Sequence, residues 1–343
     1  MAMTETAMAA EIRETPEATS RFLDREAGSL AALGPILRKR DPNVIVTCAR
    51  GSSDNAAAYF KYLCEILLGI PVASMGPSVA SLYKAPLRLS GSVMLSVSQS
   101  GRSPDIIALQ GAARQAGALA IAVVNDATSP LAAEADATLP LHAGVEKSVA
   151  ATKTFLTSAL ALAALVAEWR DDDSLRRAVR GMPATFEAAL AADWTAVDAV
   201  LAAANSAYVL GRGPSLPIAA EAALKLKETA VLHAEAFSGA EVMHGPLQLV
   251  GSGFPVLAFH PRDDAYDAME EAILGLARAG GQVFAAEAGV PTHGRMSVPA
   301  SGAPLLDPLA MLLAFYGVAE RVARKRGHDP DRPTKLRKVT ETM

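Results

Sequence analysis

The sequence predicts an α/β protein in which two doubly wound parallel sheets follow one another along the chain. Short, strongly apolar runs of strand length alternate with amphipathic stretches of helix length, which is the pattern of parallel sheets flanked by helices. This alternation pauses near residue 170 and starts again near residue 205. Of the 343 residues, 51% are apolar, so the chain has enough material for two buried cores.

The first half opens with a helical pattern over residues 12–38 that is interrupted at Pro16. Continuous apolar runs then predict strands that are buried on both faces. These strands cover residues 44–47, 71–75, 93–97, 118–124 and a weaker 137–141. Predicted helices fill residues 53–68, 104–116 and 149–169.

The second half repeats this pattern, with strands over residues 207–210, 255–259 and 283–287 and helices over 217–231, 264–279 and 307–325. Both halves open with an apolar strand that leads into Arg-Gly, a small residue and then Ser, at Arg50 and again at Arg212. A period well above 50 residues indicates duplicated domains rather than a solenoid. The predicted divisions are a helical segment 1–40, a domain 41–170, a helical connection 171–205, a domain 206–328 and a tail 329–343.

Composition and charge exclude several classes of function. The net charge of −4 and the 5% of aromatic residues are unlike a nucleic-acid-binding surface. Cys48 and Cys64 are the two cysteines, as expected in a reducing cytoplasm, and they offer no disulfide framework. No signal peptide precedes the first helix, and the longest apolar stretch, 155–169, is short for a membrane span. The sequence therefore predicts a cytoplasmic protein without a membrane or nucleic-acid partner.

Hydroxyl side chains follow the first and third predicted strands, at the sheet edge where ligands of such folds bind. Ser103 before Pro104 predicts a helix N-cap, so that backbone N–H groups near Gly101 face outward at a helix N-terminus. Such loops bind phosphate without a lysine, although a Ser-rich turn that only caps a helix has the same pattern. The residues in question are Gly51, Ser52, Ser53, Ser98, Gln99, Ser100 and Ser103. Motifs for nucleoside triphosphates and dinucleotides do not occur there.

A second candidate site lies in the helix of the second half. Spacings of four and three residues place Glu221, Lys225 and Glu228 on one helical face. A second stripe beside it can face the core and consists of Ala220, Ala223 and Leu224. A solvated face with one Glu–Lys ion pair is the alternative interpretation. The stretch 233–246 that follows is too polar for a core and is interpreted as irregular, and its carboxylates and imidazoles suit proton transfer. Its histidines lack the spacing of a zinc site, so no metal is expected.

The C-terminal residues 321–338 contain eight basic side chains. A solvated helix end, a nucleic-acid arm, and a tail that folds back to bring a cation to a phosphosugar site all fit this pattern. Two aspartates and two prolines interrupt the run and no aromatic residue accompanies it, which disfavours the arm.

Taken together, these segments resemble the sugar-isomerase (SIS) domain family, and within it the isomerase domains of glucosamine-6-phosphate synthases. The matching segments occur in the family's order over nearly the whole chain, at residues 50–53, 98–101, 149–155, 210–213, 221–228, 233–236, 244–246 and 332–338. The resemblance implies two tandem SIS domains, each with a flavodoxin-like parallel sheet and helices on both faces. It also implies that a phosphosugar binds at the loops of the first domain and that no cofactor is needed.

The resemblance further implies roles for individual residues. Glu228 would move a proton between C1 and C2 of the sugar, with support from Glu221 and Lys225. His244 would open the sugar ring in the site of the neighbouring subunit, which implies a homodimer, and Lys338 would form a Schiff base with the keto sugar. Two further positions match sugar-contact residues, Val149 and Ala151. The family's serine is replaced at Ala151, its lysine at Met243 and its glutamate at Arg102.

The expected reaction is the conversion of glucosamine 6-phosphate to fructose 6-phosphate and ammonia, because two SIS halves with their connections fill the chain and leave no room for an ammonia-generating domain. Enzymatic alternatives are a stand-alone isomerase, an ammonia-dependent synthase, a galactosamine- or tagatose-phosphate deaminase, and a fructosamine-6-phosphate deglycase. A sugar-phosphate sensor without catalysis is an alternative from another class.

Overall fold

The computed structural model describes residues 5–290 and 294–338 of the chain. The strands are β1 (Ile45–Cys48), β2 (Val72–Ser74), β3 (Val93–Ser98), β4 (Leu119–Val124), β5 (Ala137–Pro140), β6 (Ser206–Gly211), β7 (His233–Ser238), β8 (Pro255–Phe259), β9 (Gln282–Ala288) and β10 (Met296–Val298). The helices are α1 (Ala7–Arg13), α2 (Thr15–Arg40), α3 (Ser52–Leu67), α4 (Ser78–Ser81), α5 (Pro104–Gln115), α6 (Pro130–Ala133), α7 (Lys153–Arg170), α8 (Asp173–Ala189), α9 (Thr195–Ala203), α10 (Ser215–Ala230), α11 (Tyr266–Arg278) and α12 (Asp307–Lys325).

The two sheets have the same topology. The first has the strand order β2-β1-β3-β4-β5, and the second, taken from its other edge, has the order β7-β6-β8-β9-β10. All ladders are parallel, and in the first sheet Ile45 of β1 pairs with Val72 on one side and Val93 on the other. This is the doubly wound order of flavodoxin-like folds, in which ligands bind beyond the carboxyl ends of the first and third strands. The predicted fold class is confirmed.

Contacts divide the described chain into two compact units, each built around one sheet. The first unit comprises residues 17–146, 153–180 and 337–338, and holds the first sheet. The second unit comprises the described residues up to Pro16, 147–152 and 181–336, and holds the second sheet. The domain boundaries inferred from the sequence stay a prediction, and the part of the predicted tail beyond Lys338 lies outside the described residues.

The core of each unit forms from the predicted apolar runs. In the first unit, β3 is buried along its whole length, and α7 is buried nearly all round because its sequence is apolar on every face. In the second unit, the Tyr208 ring lies between Phe237 and Phe254, with ring centroids 5.0 and 4.8 Å away. Among the described residues, no helix is both long and apolar enough to cross a bilayer.

Two strands were not predicted, β7 and β10, and both lie at the edges of the second sheet. The polar stretch after residue 232 was interpreted as irregular, but it forms β7 and then two 3-10 turns, Glu241–His244 and Pro246–Leu249. His233 and Glu235 alternate with buried Ala234 along β7. An edge strand can present one face to water, so it lacks the continuous apolar run on which the prediction relied.

Candidate active site

The loop after β1 leads into α3 and is linked by an ion pair to the start of α5. Gly51 has φ +55, a left-handed conformation that favours glycine. Beside it, the Arg50 guanidinium donates to Asp105 Oδ2, with an NH2-to-oxygen distance of 2.7 Å. Asp105 is buried at the first turn of α5. This ion pair fixes the loops after the first and third strands to each other, at the sheet edge where Ser52 and Ser53 begin α3.

In the loop after β3, serine hydroxyl groups accept hydrogen bonds from backbone N–H groups of the same loop. The Ser98 hydroxyl accepts from the Gly101 N–H at 3.1 Å, and the Ser100 hydroxyl accepts from the Arg102 N–H at 3.3 Å. Ser103 is the N-cap residue of α5 and Pro104 follows it, as predicted, but the Ser103 side chain makes no capping hydrogen bond. A helix N-terminus with a serine that does not cap it is a suitable place for an anion.

Gly101 is required by the shape of this loop, since it has φ +62 and a Cβ there would lie 2.1 Å from Ser129 Oγ. We expect Gly101→Ala to lower the free energy of unfolding by about 2 kcal/mol more than Gly91→Ala does. Gly91 also has positive φ, at +81, but open space surrounds its Cβ position, so it controls for backbone strain alone. Urea unfolding measures both values, and equal losses would contradict the steric argument.

Arg102 and Cys48 also lie near these loops, and neither offers an unpaired charge to a ligand. The Arg102 guanidinium forms an ion pair with Asp126, with a nitrogen-to-Oδ2 distance of 2.9 Å. Hydrogen bonds from Thr128 hold the pKa of Asp126 below its ordinary value, so this carboxylate stays charged beside the guanidinium. Burial, assisted by the negative charge of Asp105, raises the pKa of the Cys48 thiol to about 12, so it remains protonated at neutral pH.

A cavity of about 730 Å³ opens beside the β3 loop within the first unit. Gln99 and Ser100 line one side of it, and the tail residue Lys338 lines another. The Lys338 ammonium lies 2.9 Å from Glu146 Oε2. The structure therefore brings the C-terminal lysine to the same cavity as two of the predicted phosphate contacts.

Val149 and Ala151 belong to the second unit, in the short segment that precedes α7. The Val149 N–H donates to the Asp331 carbonyl at 3.1 Å, which fixes the backbone at the predicted sugar contact. The buried Glu11 carboxylate accepts from the N–H groups of Lys147 and Ser148. This segment is therefore held by hydrogen bonds on both sides of its chain.

The predicted proton-transfer residues meet on α10. The Lys225 ammonium contacts the Glu228 carboxylate and lies 3.4 Å from Glu221 Oε1. The side chains of Glu221 and Lys225 are fully buried, whereas that of Glu228 is 21% exposed. The Lys225 ammonium contacts both carboxylates, and the partial exposure of Glu228 leaves one of them within reach of a ligand.

The burial of Glu221 and Lys225 excludes the alternative interpretation, in which this face of α10 is solvated. Glu221 and Lys225 face the interior, where the Tyr316 hydroxyl of α12 donates to Glu221 at 3.3 Å. Of the stripe that was taken as core-facing, Ala223 is buried, whereas Ala220 and Leu224 are partly exposed. Buried charges are retained where they are paired and hydrogen-bonded, and they carry a desolvation cost that a purely structural face of the helix would avoid.

His244 lies elsewhere on the second unit. It ends the 3-10 turn Glu241–His244, its side chain is exposed, and Gly245 follows with φ +140. Met243 beside it packs towards α11, where a Cβ on Gly275 would come within 3.1 Å of the Met243 methyl group. The imidazole is therefore at the surface and open to an approaching group.

The sequence analysis missed a second cluster of titratable groups, at the carboxyl ends of β8 and β9. Ring nitrogens of the buried His260 lie 3.2 Å from Glu287 and 3.4 Å from Glu270, and the ligand atoms of the three side chains lie within 4.8 Å of one another. Arg295 contacts the Glu270 carboxylate and lies 3.5 Å from Glu287. The guanidinium already supplies a positive charge between the carboxylates, so this cluster is an ion-pair network. A histidine directly after the third strand of a sheet was the signal that could have found it.

His260 makes the stability of the second unit depend on pH. Burial lowers its pKa below the ordinary 6.5, so the unfolded chain takes up this proton at a higher pH than the folded chain does. We expect the contribution of His260 to be complete above about pH 6.5 and to be lost as the pH falls below it. His260→Asn should therefore flatten the decline in melting temperature between pH 7 and pH 5. Parallel profiles for the two proteins would contradict this.

Comparison with known proteins agrees with this fold. The family model of the SIS domain matches residues 38–168 and 200–285. The chain belongs to the SIS domain family. It is 33% identical over 359 aligned residues to a glutamine–fructose-6-phosphate aminotransferase (isomerizing) of Photorhabdus laumondii, covering 96% of this chain and 58% of that protein. The chain thus spans little more than half the length of this relative.

Solved structures of proteins that are assigned as phosphosugar isomerases share the fold of this SIS chain. A protein of Silicibacter pomeroyi DSS-3 assigned as a phosphosugar isomerase is 49% identical, with a TM-score of 0.90, and covers 95% of this chain and 100% of its own. A glucosamine-6-phosphate deaminase of Thermotoga maritima shares the fold at 20% identity, with a TM-score of 0.78 over 98% of this chain and 100% of its own. The chain is related to the isomerase domain of the aminotransferases and has the architecture of a phosphosugar isomerase.

Proposed function

We propose that this SIS protein is a glucosamine-6-phosphate deaminase that isomerises its substrate, giving fructose 6-phosphate and ammonia. The observation that carries the proposal is the charged face of α10, where Lys225 is buried between Glu221 and the partly exposed Glu228. A carboxylate held next to a buried ammonium, with one edge open, is suited to accept a proton from carbon and return it. A helix that served packing alone would not need three charged groups on its inner face.

Glu228 is the proposed general base. In the open-chain form of the sugar it removes the proton from C2, and the electron pair forms a C1–C2 double bond. The C1 carbonyl oxygen takes up a proton to give an enaminol, and the nitrogen gives up a proton when the imine forms. Reprotonation at C1 gives the C2 imine of fructose 6-phosphate. Water adds to this imine and ammonia leaves, so that one water is consumed for each ammonia released. Lys225 keeps Glu228 oriented, and Glu221 holds Lys225 in place.

Three further groups have proposed roles in this reaction. The exposed imidazole of His244 is available to the site of a neighbouring subunit, where it would pass the proton of ring opening, and this proposes a homodimer. Lys338 would form a Schiff base with the keto sugar. The phosphate would bind at the N-termini of α3 and α5, on the serines and Gln99 predicted from the sequence. We propose a cytoplasmic location for this enzyme.

The test uses purified protein with glucosamine 6-phosphate and, separately, galactosamine 6-phosphate. Ammonia and ketose phosphate are measured by coupled assays in the same sample. We expect equal amounts of the two products from at least one of the epimers. No ammonia from either would overturn the deaminase proposal, and binding of fructose 6-phosphate without any turnover would favour a sugar-phosphate sensor.

Synthesis in the reverse direction is a second candidate function, because the relative from Photorhabdus is named as an aminotransferase. The same residues would then act on fructose 6-phosphate with ammonia. Incubating the protein with fructose 6-phosphate and ammonium salt, and measuring glucosamine 6-phosphate, separates the directions. A synthetic rate far above the deamination rate at physiological concentrations would favour the synthase.

A further inference from the structure

Glu146 is a buried carboxylate that the sequence analysis did not single out. It lies between β5 and α7, is 5% exposed, and belongs to the first unit. Glu146 Oε1 accepts from the Thr154 backbone N–H at 3.1 Å, and Oε2 accepts from the Thr154 hydroxyl at 2.6 Å. Thr154 lies in the first turn of α7, so these bonds fix the carboxylate to a helix N-terminus.

The same oxygen that accepts from Thr154 also accepts from the tail. Lys338 Nζ donates to Glu146 Oε2 at 2.9 Å, and these residues are 192 positions apart in the chain. The two partners differ in how firmly they are held. Glu146 is fixed by α7, whereas the Lys338 side chain is 27% exposed and belongs to a terminal segment without helix or strand structure. The carboxylate therefore determines where the ammonium lies.

We propose that Glu146 is a positioning residue that holds the Lys338 amine at the sugar cavity and accepts its proton when the amine attacks the substrate. The inference rests on the proposed function, in which Lys338 forms the Schiff base. Glu146 positions Lys338 before the reaction and exchanges one proton with the reacting atoms during it. The cavity that both residues line also contains Gln99 and Ser100, so the amine is held beside the loop proposed for the phosphate.

An ammonium has no lone pair, so Lys338 must give one proton to Glu146 before Nζ bonds to C2 of fructose 6-phosphate. The resulting carbinolamine loses its hydroxyl group as water. Glu146 returns its proton to that leaving hydroxyl, and the nitrogen lone pair forms the C=N bond of the protonated imine. A carboxylate 2.9 Å from the amine has the reach for both transfers.

Borohydride trapping of the Schiff base tests the inference. Protein is incubated with fructose 6-phosphate, reduced, and analysed by mass spectrometry, with the modified residue located by peptide mapping. We expect an adduct on Lys338 in the unaltered protein and a rate of adduct formation about tenfold or more lower in Glu146→Gln. The affinity for fructose 6-phosphate should change by less than about threefold, since the amide leaves the phosphate loops intact.

Glu65→Gln is the matched control, because Glu65 also faces a lysine, Lys61, at 4.0 Å, but on the surface of α3. Its trapping rate should equal that of the unaltered protein. Thr154→Val removes the hydroxyl that holds Oε2 and keeps the carboxylate, so an intermediate rate is expected. Glu146→Asp retains the charge and should recover part of the rate. Thermal melting verifies that each variant is folded, since Glu146 also bonds the start of α7.

The pH profile separates positioning from a structural role. In the unaltered protein the trapping rate should begin to rise at a lower pH than in Glu146→Gln, because the variant lacks the internal proton acceptor. Equal rates and equal pH profiles in a folded Glu146→Gln would overturn the inference alone. Absence of any Lys338 adduct in the unaltered protein would overturn both the inference and the Schiff-base role, while ammonia release measured in parallel reports on the deaminase proposal itself.

Discussion

Replacing Glu228 by Gln is expected to reduce the turnover of glucosamine 6-phosphate by about 10² or more, which is the usual effect of losing a general base. The amide cannot accept the C2 proton, although its size and its hydrogen-bonding reach are those of the carboxylate. Lys225 retains its contact with Glu221, so α10 should keep its place. Steady-state kinetics of ammonia release measures kcat, and calorimetry measures the affinity for fructose 6-phosphate.

Glu271→Gln is the matched control for this loss of one negative charge, because Glu271 is exposed on α11 of the same unit. We expect its kcat to remain unchanged. The affinity of Glu228→Gln for fructose 6-phosphate should stay within about threefold, since the phosphate loops belong to the first unit. A turnover near the original value in Glu228→Gln would show that another group is the base.

Replacing Lys225 by Met is expected to lower the free energy of unfolding by about 3 to 5 kcal/mol, because it removes the cation from a buried ion pair. The Lys225 side chain is fully buried, and so is its partner Glu221 at 3.4 Å. Without the ammonium, the Glu221 carboxylate remains in the interior with a desolvation cost that its bond from Tyr316 offsets only in part. Urea denaturation measures the loss.

Lys227→Met provides the control, because Lys227 is two positions away on the same helix and is exposed. Its unfolding free energy should change by less than about 0.5 kcal/mol. The double variant Glu221→Leu with Lys225→Met should be more stable than Lys225→Met alone, since it removes both buried charges. If Lys225→Met unfolded at the same urea concentration as Lys227→Met, the buried charges would not form the coupled pair described here.

The interior of each sheet could be predicted from the sequence because its strands are buried on both faces. The runs 93–97 and 118–124 predicted β3 and β4, and their pairing is the centre of the first sheet. The edge strands of the second sheet were missed because polar residues alternate along β7 and because β10 is three residues long. Pairing with a neighbour, rather than apolar content, makes these segments strands.

The candidate site was predictable where it depends on local spacing. Spacings of three and four residues brought Lys225 together with Glu221 and Glu228, as in the structure. The burial of that face was not predictable, because it depends on packing against Tyr316, which is 95 residues away from Glu221. The contact of Glu146 with Lys338 is also tertiary. Such contacts leave no periodic signal in one sequence.

The most direct test of the central claim follows the hydrogen on C2 of the substrate. Glucosamine 6-phosphate that carries deuterium at C2 is converted by the protein, and the product is examined by NMR spectroscopy. Proton transfer by Glu228 predicts fructose 6-phosphate whose deuterium has moved to C1 or has exchanged with the solvent. An aldose phosphate that keeps deuterium at C2 would indicate direct displacement of the amine and would contradict the mechanism.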